Sequence, residues 1–201
     1  SASALGVNVG VSGNAGLFAA SGKEDVGGAA TGSKAAHKGS EHGSAAWGSI
    51  FVEKTLGEVM MIGLDYVPQA LETDTTETTK QDLDATQTNA SPKSVTAANN
   101  KVQIDFKNLT TLYVGAMVTE NFYVKAGVTK VDIITNENLG TGSTYKDTDM
   151  DGSMFGFGYH KNTDNGAFLR VEGNYMSFDG AQVTSSANGN IVSLDNLDGV
   201  S

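Results

Sequence analysis

Residues 101–119 read Lys-Val-Gln-Ile-Asp-Phe-Lys-Asn-Leu-Thr-Thr-Leu-Tyr-Val-Gly-Ala-Met-Val-Thr, and their alternation decides the fold. Val102, Ile104, Phe106, Leu112, Val114, Ala116 and Val118 fall on even positions, against Lys101, Gln103, Asp105, Lys107, Thr111, Tyr113 and Thr119 on odd ones. Successive side chains of an extended strand point to opposite faces, so this period of two predicts a long strand with one apolar face and one polar face. After Glu120-Asn121 the period restarts, with Phe122, Val124, Ala126 and Val128 opposite Tyr123, Lys125, Gly127 and Thr129. A restart across so short a break reads as a tight hairpin.

The same signal recurs on both sides of that hairpin. Leu5, Val7, Val9 and Val11 alternate with Gly6, Asn8, Gly10 and Ser12. Stretches 46–54 and 59–67 flank Leu56-Gly57-Glu58, and stretches 153–160 and 167–178 flank a turn at 162–166. Seven strands are predicted in one domain covering 1–201. Short turns alternate with long connections at about 21–44, 68–100, 135–150 and 180–198. Segment 68–100 holds Thr73, Thr75, Thr76, Thr78, Thr79, Thr86, Thr88 and Thr96 among scattered acids. With few apolar partners to bury, it reads as a mobile loop.

Composition removes several function classes. The 201 residues carry 13 Lys+Arg against 23 Asp+Glu, a formal charge of -10. With no local basic cluster, that charge opposes binding to nucleic acid or an anionic lipid surface. The longest apolar run is Val59-Met60-Met61-Ile62, far short of the roughly 18 residues of a spanning helix. Zero Cys excludes a disulfide framework, a thiolate metal site and a Cys nucleophile. Ser1-Ala2-Ser3-Ala4 has the small-residue character of a signal-peptide cleavage region.

Strands such as 5–11 and 102–118, with their long-short order of connections, resemble the small eight-stranded outer-membrane β-barrels of Gram-negative bacteria. That group includes the outer-membrane protein A transmembrane domain and the opacity-type proteins. The resemblance covers nearly the whole chain and is architectural, with no shared sequence motif. It implies an all-β, antiparallel, up-and-down transmembrane barrel, with termini and short turns in the periplasm and long loops outside the cell. Members of the group end in a closing strand with a terminal aromatic residue. Here Gly199-Val200-Ser201 reads as the start of an eighth strand cut short. A strand supplied by a neighbouring chain is the other way to close such a wall.

In such a barrel the polar face turns inward. The interior charge network expected from the alternation is Asp65, Lys101, Asp105, Lys107, Lys125, Arg170 and Glu172. An eight-strand interior is just wide enough to be filled by side chains, so these groups would plug it and leave at most a narrow, porin-like pore. Arg170 and Glu172 share one face and need partners across the barrel, with Lys107, Lys125 or Asp105 as candidates. Gly10, Gly115 and Gly127 fall on the same inward face. Trp47, Tyr66, Phe106, Phe122 and Phe155 are candidates for interfacial girdles. In a soluble sandwich the same charges would face water.

Chemistry-bearing motifs are few. Asp147, Asp149 and Asp151 precede Gly152, a spacing that can wrap a hard cation such as calcium. Position twelve of that pattern is Gly158, where a bidentate Glu is expected. His37, Glu41 and His42 share one Gly-rich segment, whose geometry favours a solvated loop over a metal site. His160 has no Ser two residues on, which argues against a lipid hydrolase. The Gly-rich stretch 1–44 lacks the Gly-Lys-Ser/Thr ending of a phosphate loop.

The expectation is therefore a non-enzymatic outer-membrane barrel with a structural or adhesive role. It would present polar loops to other cells, matrix or phage. The alternative is a secreted β-rich filament or virion subunit completed by a neighbour's strand. A soluble ligand-binding barrel would require inside and outside to exchange.

Overall fold

The computed structural model describes residues 6–25, 36–83, 95–140, 142–186 and 189–201, leaving undescribed the side chains of 36–37, 76, 78–83 and 95–98. The described residues form a single antiparallel sheet of eleven strands. In chain order these are β1 Val7–Asp25, β2 Ala36–Leu56, β3 Met60–Tyr66, β4 Leu71–Glu72, β5 Thr76–Leu83, β6 Val95–Met117, β7 Phe122–Asn138, β8 Thr148–Asn162, β9 Phe168–Phe178, β10 Ala181–Thr184 and β11 Ile191–Val200.

Neighbouring strands pair in the order β1-β2-β3-β6-β7-β8-β9-β11, and β1 pairs with β11 to close the ring. β3, β4 and β5 follow one another along a single edge of β6. β9 and β10 do the same along β11. The ring thus has eight staves. The eighth strand that the sequence reading starts at Gly199 is already present as β11, which begins at Ile191 within the segment 180–198 expected to be a loop. Below Val200 the wall is open. Ser201 exchanges backbone hydrogen bonds with Asn174 (2.8 and 2.9 Å), and among the described residues no strand lies between 7–16 of β1 and 168–173 of β9.

Strands also run past the other expected loop boundaries. β1 and β2 pair continuously from Val7↔Lys54 to Asp25↔Ala36. The Thr-rich segment 68–100 contributes β4, β5 and the start of β6; residues 84–94 within it lie outside the described residues. Thr is a good strand former, and pairing with β6 satisfies its backbone without a core of its own.

Exposure follows the period of two. Val9, Val11, Leu17, Ile50, Val52, Met60, Ile62, Leu64, Leu112, Val114, Phe122, Val124, Val128, Phe155, Phe157, Leu169 and Val171 all point outward and are exposed. They form one apolar belt around the wall. Inward-facing partners are buried, among them Phe51, Glu53, Tyr113, Tyr123 and Met154.

A β-bulge interrupts β6. Lys107 pairs with Asp132 and Thr110 with Lys130, so Asn108 and Leu109 together face Val131 alone. Asn108 sits at φ 55°, a left-handed conformation that Asn tolerates better than most residues. The extra residue reverses the faces above it. Ile104 and Phe106 pack inward against the core, and Lys101 and Lys107 turn to the other face together with Asp105, which stays buried there. The single unbroken alternation read across 101–119 is corrected on this point.

The interior has two layers. Trp47, Val67, Leu109, Val131, Ile133, Met150, Met154, Met176, Phe178 and Leu197 form a buried apolar core on the side of the long connections. Nearer the short turns, the interior is charged.

Candidate functional site

Two rows of three residues organise the charged layer. In the first, Glu53 of β2 is opposite Gly63 of β3, which is opposite Tyr113 of β6. In the second, Tyr123 of β7 is opposite Gly158 of β8, which is opposite Glu172 of β9. A Cβ at Gly158 would stand 2.5 Å from Tyr123 Cζ, and one at Gly63 would collide with the Tyr113 ring. Each tyrosine therefore lies flat over a glycine and reaches the carboxylate on the strand beyond. Tyr113 donates to Glu53 at 3.0 Å, and Tyr123 donates to Glu172.

Two cations complete the set. Arg170 crosses the interior to Glu53, donating from both terminal nitrogens at 2.8 and 2.7 Å. Its Nε donates to His160 Nδ1 at 3.0 Å. The guanidinium lies over the rings of Phe168, Tyr123 and Phe51 at 4.9, 5.3 and 5.4 Å. Lys125 pairs with Glu172 and sits 5.0 Å from the Tyr113 ring centroid. Farther up, Asp65 accepts from Ser49 (2.9 Å), Ser49 meets Ser12 (2.6 Å), and Asn14 donates to Ser12 (2.9 Å). Charges removed from water need partners with good geometry, and Arg170, Glu53, Glu172 and Lys125 each have one.

Of the seven residues expected inside, the structure brings Lys125, Arg170 and Glu172 into this layer, with Asp65 above them. Lys101, Asp105 and Lys107 do not join them. Lys101 pairs with Glu77 (2.7 Å) and Lys107 approaches Asp105 (3.7 Å). Asp105 also accepts from Asn136 at 2.9 Å. The bulge at Asn108 is the reason. Sequence reasoning missed Glu53, Tyr113 and Tyr123 as partners, although exposed Ile50 and Val52 put Glu53 on the inner face by parity alone.

Two of the three aspartates of the acidic motif lie on an extended strand. Asp149 and Asp151 stand on the outer face of β8, about 7 Å apart along the strand, and the cation between them is the Lys130 ammonium. Lys130 takes up Asp149 and lies 3.6 Å from Asp151, while Asp147 accepts from the Thr135 amide at 3.3 Å. The bond from Lys130 to Asp149, with the Asp151 charge beside it, holds this exposed ammonium above the usual lysine range. Among the described residues no group of three or more His, Asp and Glu side chains could hold a metal ion. Glu41 and His42 are exposed on β2, and the side chain of His37 lies outside the described residues.

The girdle candidates divide. Trp47 is buried and packs on Phe18, ring centroids 5.8 Å apart, and Phe106 also turns inward. Phe122 and Phe155 are exposed on the outer belt. Phe122 meets Tyr159 edge to face at 5.2 Å. Tyr66 donates to Asn108 at 3.0 Å near the upper edge of the belt.

No family model matches the chain, and no curated protein matches its sequence. Among solved structures it is similar to Ail, the attachment invasion locus protein of Yersinia pestis, at 9% identity and a TM-score of 0.27. The likeness covers 92% of this chain and 95% of that one. So loose a superposition adds nothing to the strand pairing described above.

Proposed function

We propose that the chain is a non-enzymatic β-barrel of the bacterial outer membrane, with a structural or adhesive role at the cell surface. The observation that carries this reading is the inversion of polarity across the wall. Apolar side chains are exposed outside, while Glu53, Arg170, Glu172 and Lys125 are paired inside. Water outside would reverse that preference, since burial of apolar area is the dominant favourable term in folding. A lipid exterior removes the conflict, and where β1 meets β11 the ring of strands satisfies its backbone groups without water.

On β7 the belt is Phe122, Val124, Ala126 and Val128. Its seven residues run roughly 20 Å along the strand, which at the tilt of about 35–45° usual for membrane barrels covers about 16 Å of an apolar band about 25 Å tall. The connection end would then face outward, offering polar loops to cells, matrix or phage. The apolar layer around Trp47, Met154 and Met176 argues for a closed interior with little conductance.

The test is extraction from a membrane fraction with and without detergent, with electrophoresis of heated and unheated samples. Detergent-dependent solubility and a heat-shifted band are expected. Full solubility in plain buffer with no shift overturns the proposal.

A further inference from the structure

His160 stands at the short-turn end of the interior, and its ring is held from both sides. Arg170 Nε donates to Nδ1 at 3.0 Å, and Nε2 meets Asn162 Oδ1 at 2.9 Å. Arg170 cannot accept and Asn162 Oδ1 cannot donate, so the geometry requires the neutral tautomer with its proton on Nε2. The ring also stacks near Phe168 at 5.4 Å, the same ring that carries the Arg170 guanidinium.

We propose that His160 is a proton-sensitive latch on Arg170, whose protonation releases Arg170 Nε and loosens the charged plug at this end of the barrel. A proton on Nδ1 sets N–H against N–H and places one cation beside another. Arg170 then keeps only the two bonds to Glu53 and loses the contact that fixes the plane of its fork. The charged and titratable groups facing the ring are Arg170 of β9 and Glu53 of β2. Behind Arg170 stand Tyr123 and Lys125 of β7 and Glu172 of β9. Asn121 contributes only an amide bond, to the His160 carbonyl at 3.0 Å. Glu53 is already occupied by Arg170 and Tyr113, so the incoming charge meets no free carboxylate among these groups.

The latch goes beyond the outer-membrane reading, and its test gives an answer in detergent micelles or in plain buffer. Failure of one is therefore distinguishable from failure of the other. The full chain, labelled with nitrogen-15, is titrated from about pH 8 to pH 4, from above the ordinary imidazole value of about 6.5 to well below it, and a His160 that does not titrate in that range overturns the proposal. The Arg170 Nε–H resonance should be protected from exchange at the high end and lose that protection with the midpoint of His160. In His160→Gln the amide oxygen still accepts but does not titrate, so protection should persist across the range. A wild-type Arg170 signal that is unmoved while His160 titrates overturns the proposal. So does a His160→Gln protein that loses protection in step with wild type. If the variant fails to fold, the wild-type titration alone decides.

Discussion

Arg170 on β9 and Glu53 on β2 are 117 residues apart in sequence, yet two parallel hydrogen bonds join them across the barrel interior. Both side chains are close to fully enclosed, with exposures of 10% and 2%. The pair ties together strands that never touch through the sheet, and the planar fork of arginine suits a carboxylate held by a tyrosine on its other side.

Removing one partner strands the other. Arg170→Ala should cost about 3–5 kcal/mol, because Glu53 would stay buried and uncompensated. The joint replacement Glu53→Leu with Arg170→Met should cost much less. Urea unfolding of the refolded protein in micelles or vesicles reads both. Equal losses in the single and joint variants would sink the account of a mutually compensated pair.

The tyrosine-over-glycine rows make a second prediction. Gly158→Ala drives a methyl group into Tyr123 and should destabilise by about 1–3 kcal/mol through overpacking, with loss of the Tyr123 bond to Glu172. A Cβ at Gly13, by contrast, would meet nothing within 4 Å. Gly13→Ala should therefore leave the unfolding midpoint close to wild type.

The bulge can be tested by its backbone. Asn108→Gly should retain the fold, because Gly adopts a positive φ readily. Asn108→Val should lose about 1–2 kcal/mol from the left-handed conformation alone. It should also lose the bonds with Tyr66 and Asp132 (3.0 and 2.8 Å). If valine were tolerated as well as glycine, the left-handed residue would not be what holds the bulge.

The outer belt distinguishes lipid from water. Val114→Arg, near the middle of the belt, should cost about 2–4 kcal/mol in vesicles if a bilayer surrounds the wall. An arginine there should be nearly neutral if water does. Lys130→Ala, above the belt, should change stability little in either case, since solvent screens an exposed ion pair.

How much of this was legible depends on the length of uninterrupted alternation. The hairpin around Glu120-Asn121 could be read directly, because both arms keep phase over four apolar residues. The inward phase of Lys125, Arg170 and Glu172 followed from neighbours such as Val124, Leu169 and Val171. Above Asn108 the reading reversed, since a bulge adds one residue without disturbing the alternation on either side of it. The Asn-Leu pair was the only local signal. The aspartates of 147–151 suggested a loop because carboxylates before a glycine favour turns, but pairing with β7 drew Asp149 and Asp151 into a strand.

By itself, then, the sequence determined the all-β class and the two-faced strands, since a period of two is a local property fixed by the alternation of side chains. It also determined the positions of the short turns, where Gly57 takes a positive φ. Tertiary structure alone decided which charges meet. Arg170 could choose Glu53 over Asp105 only once eight staves had set their register around a closed ring. A single bulge then moved Lys101, Asp105 and Lys107 to the other face of β6, because which face a strand buries depends on every residue counted between it and its partner.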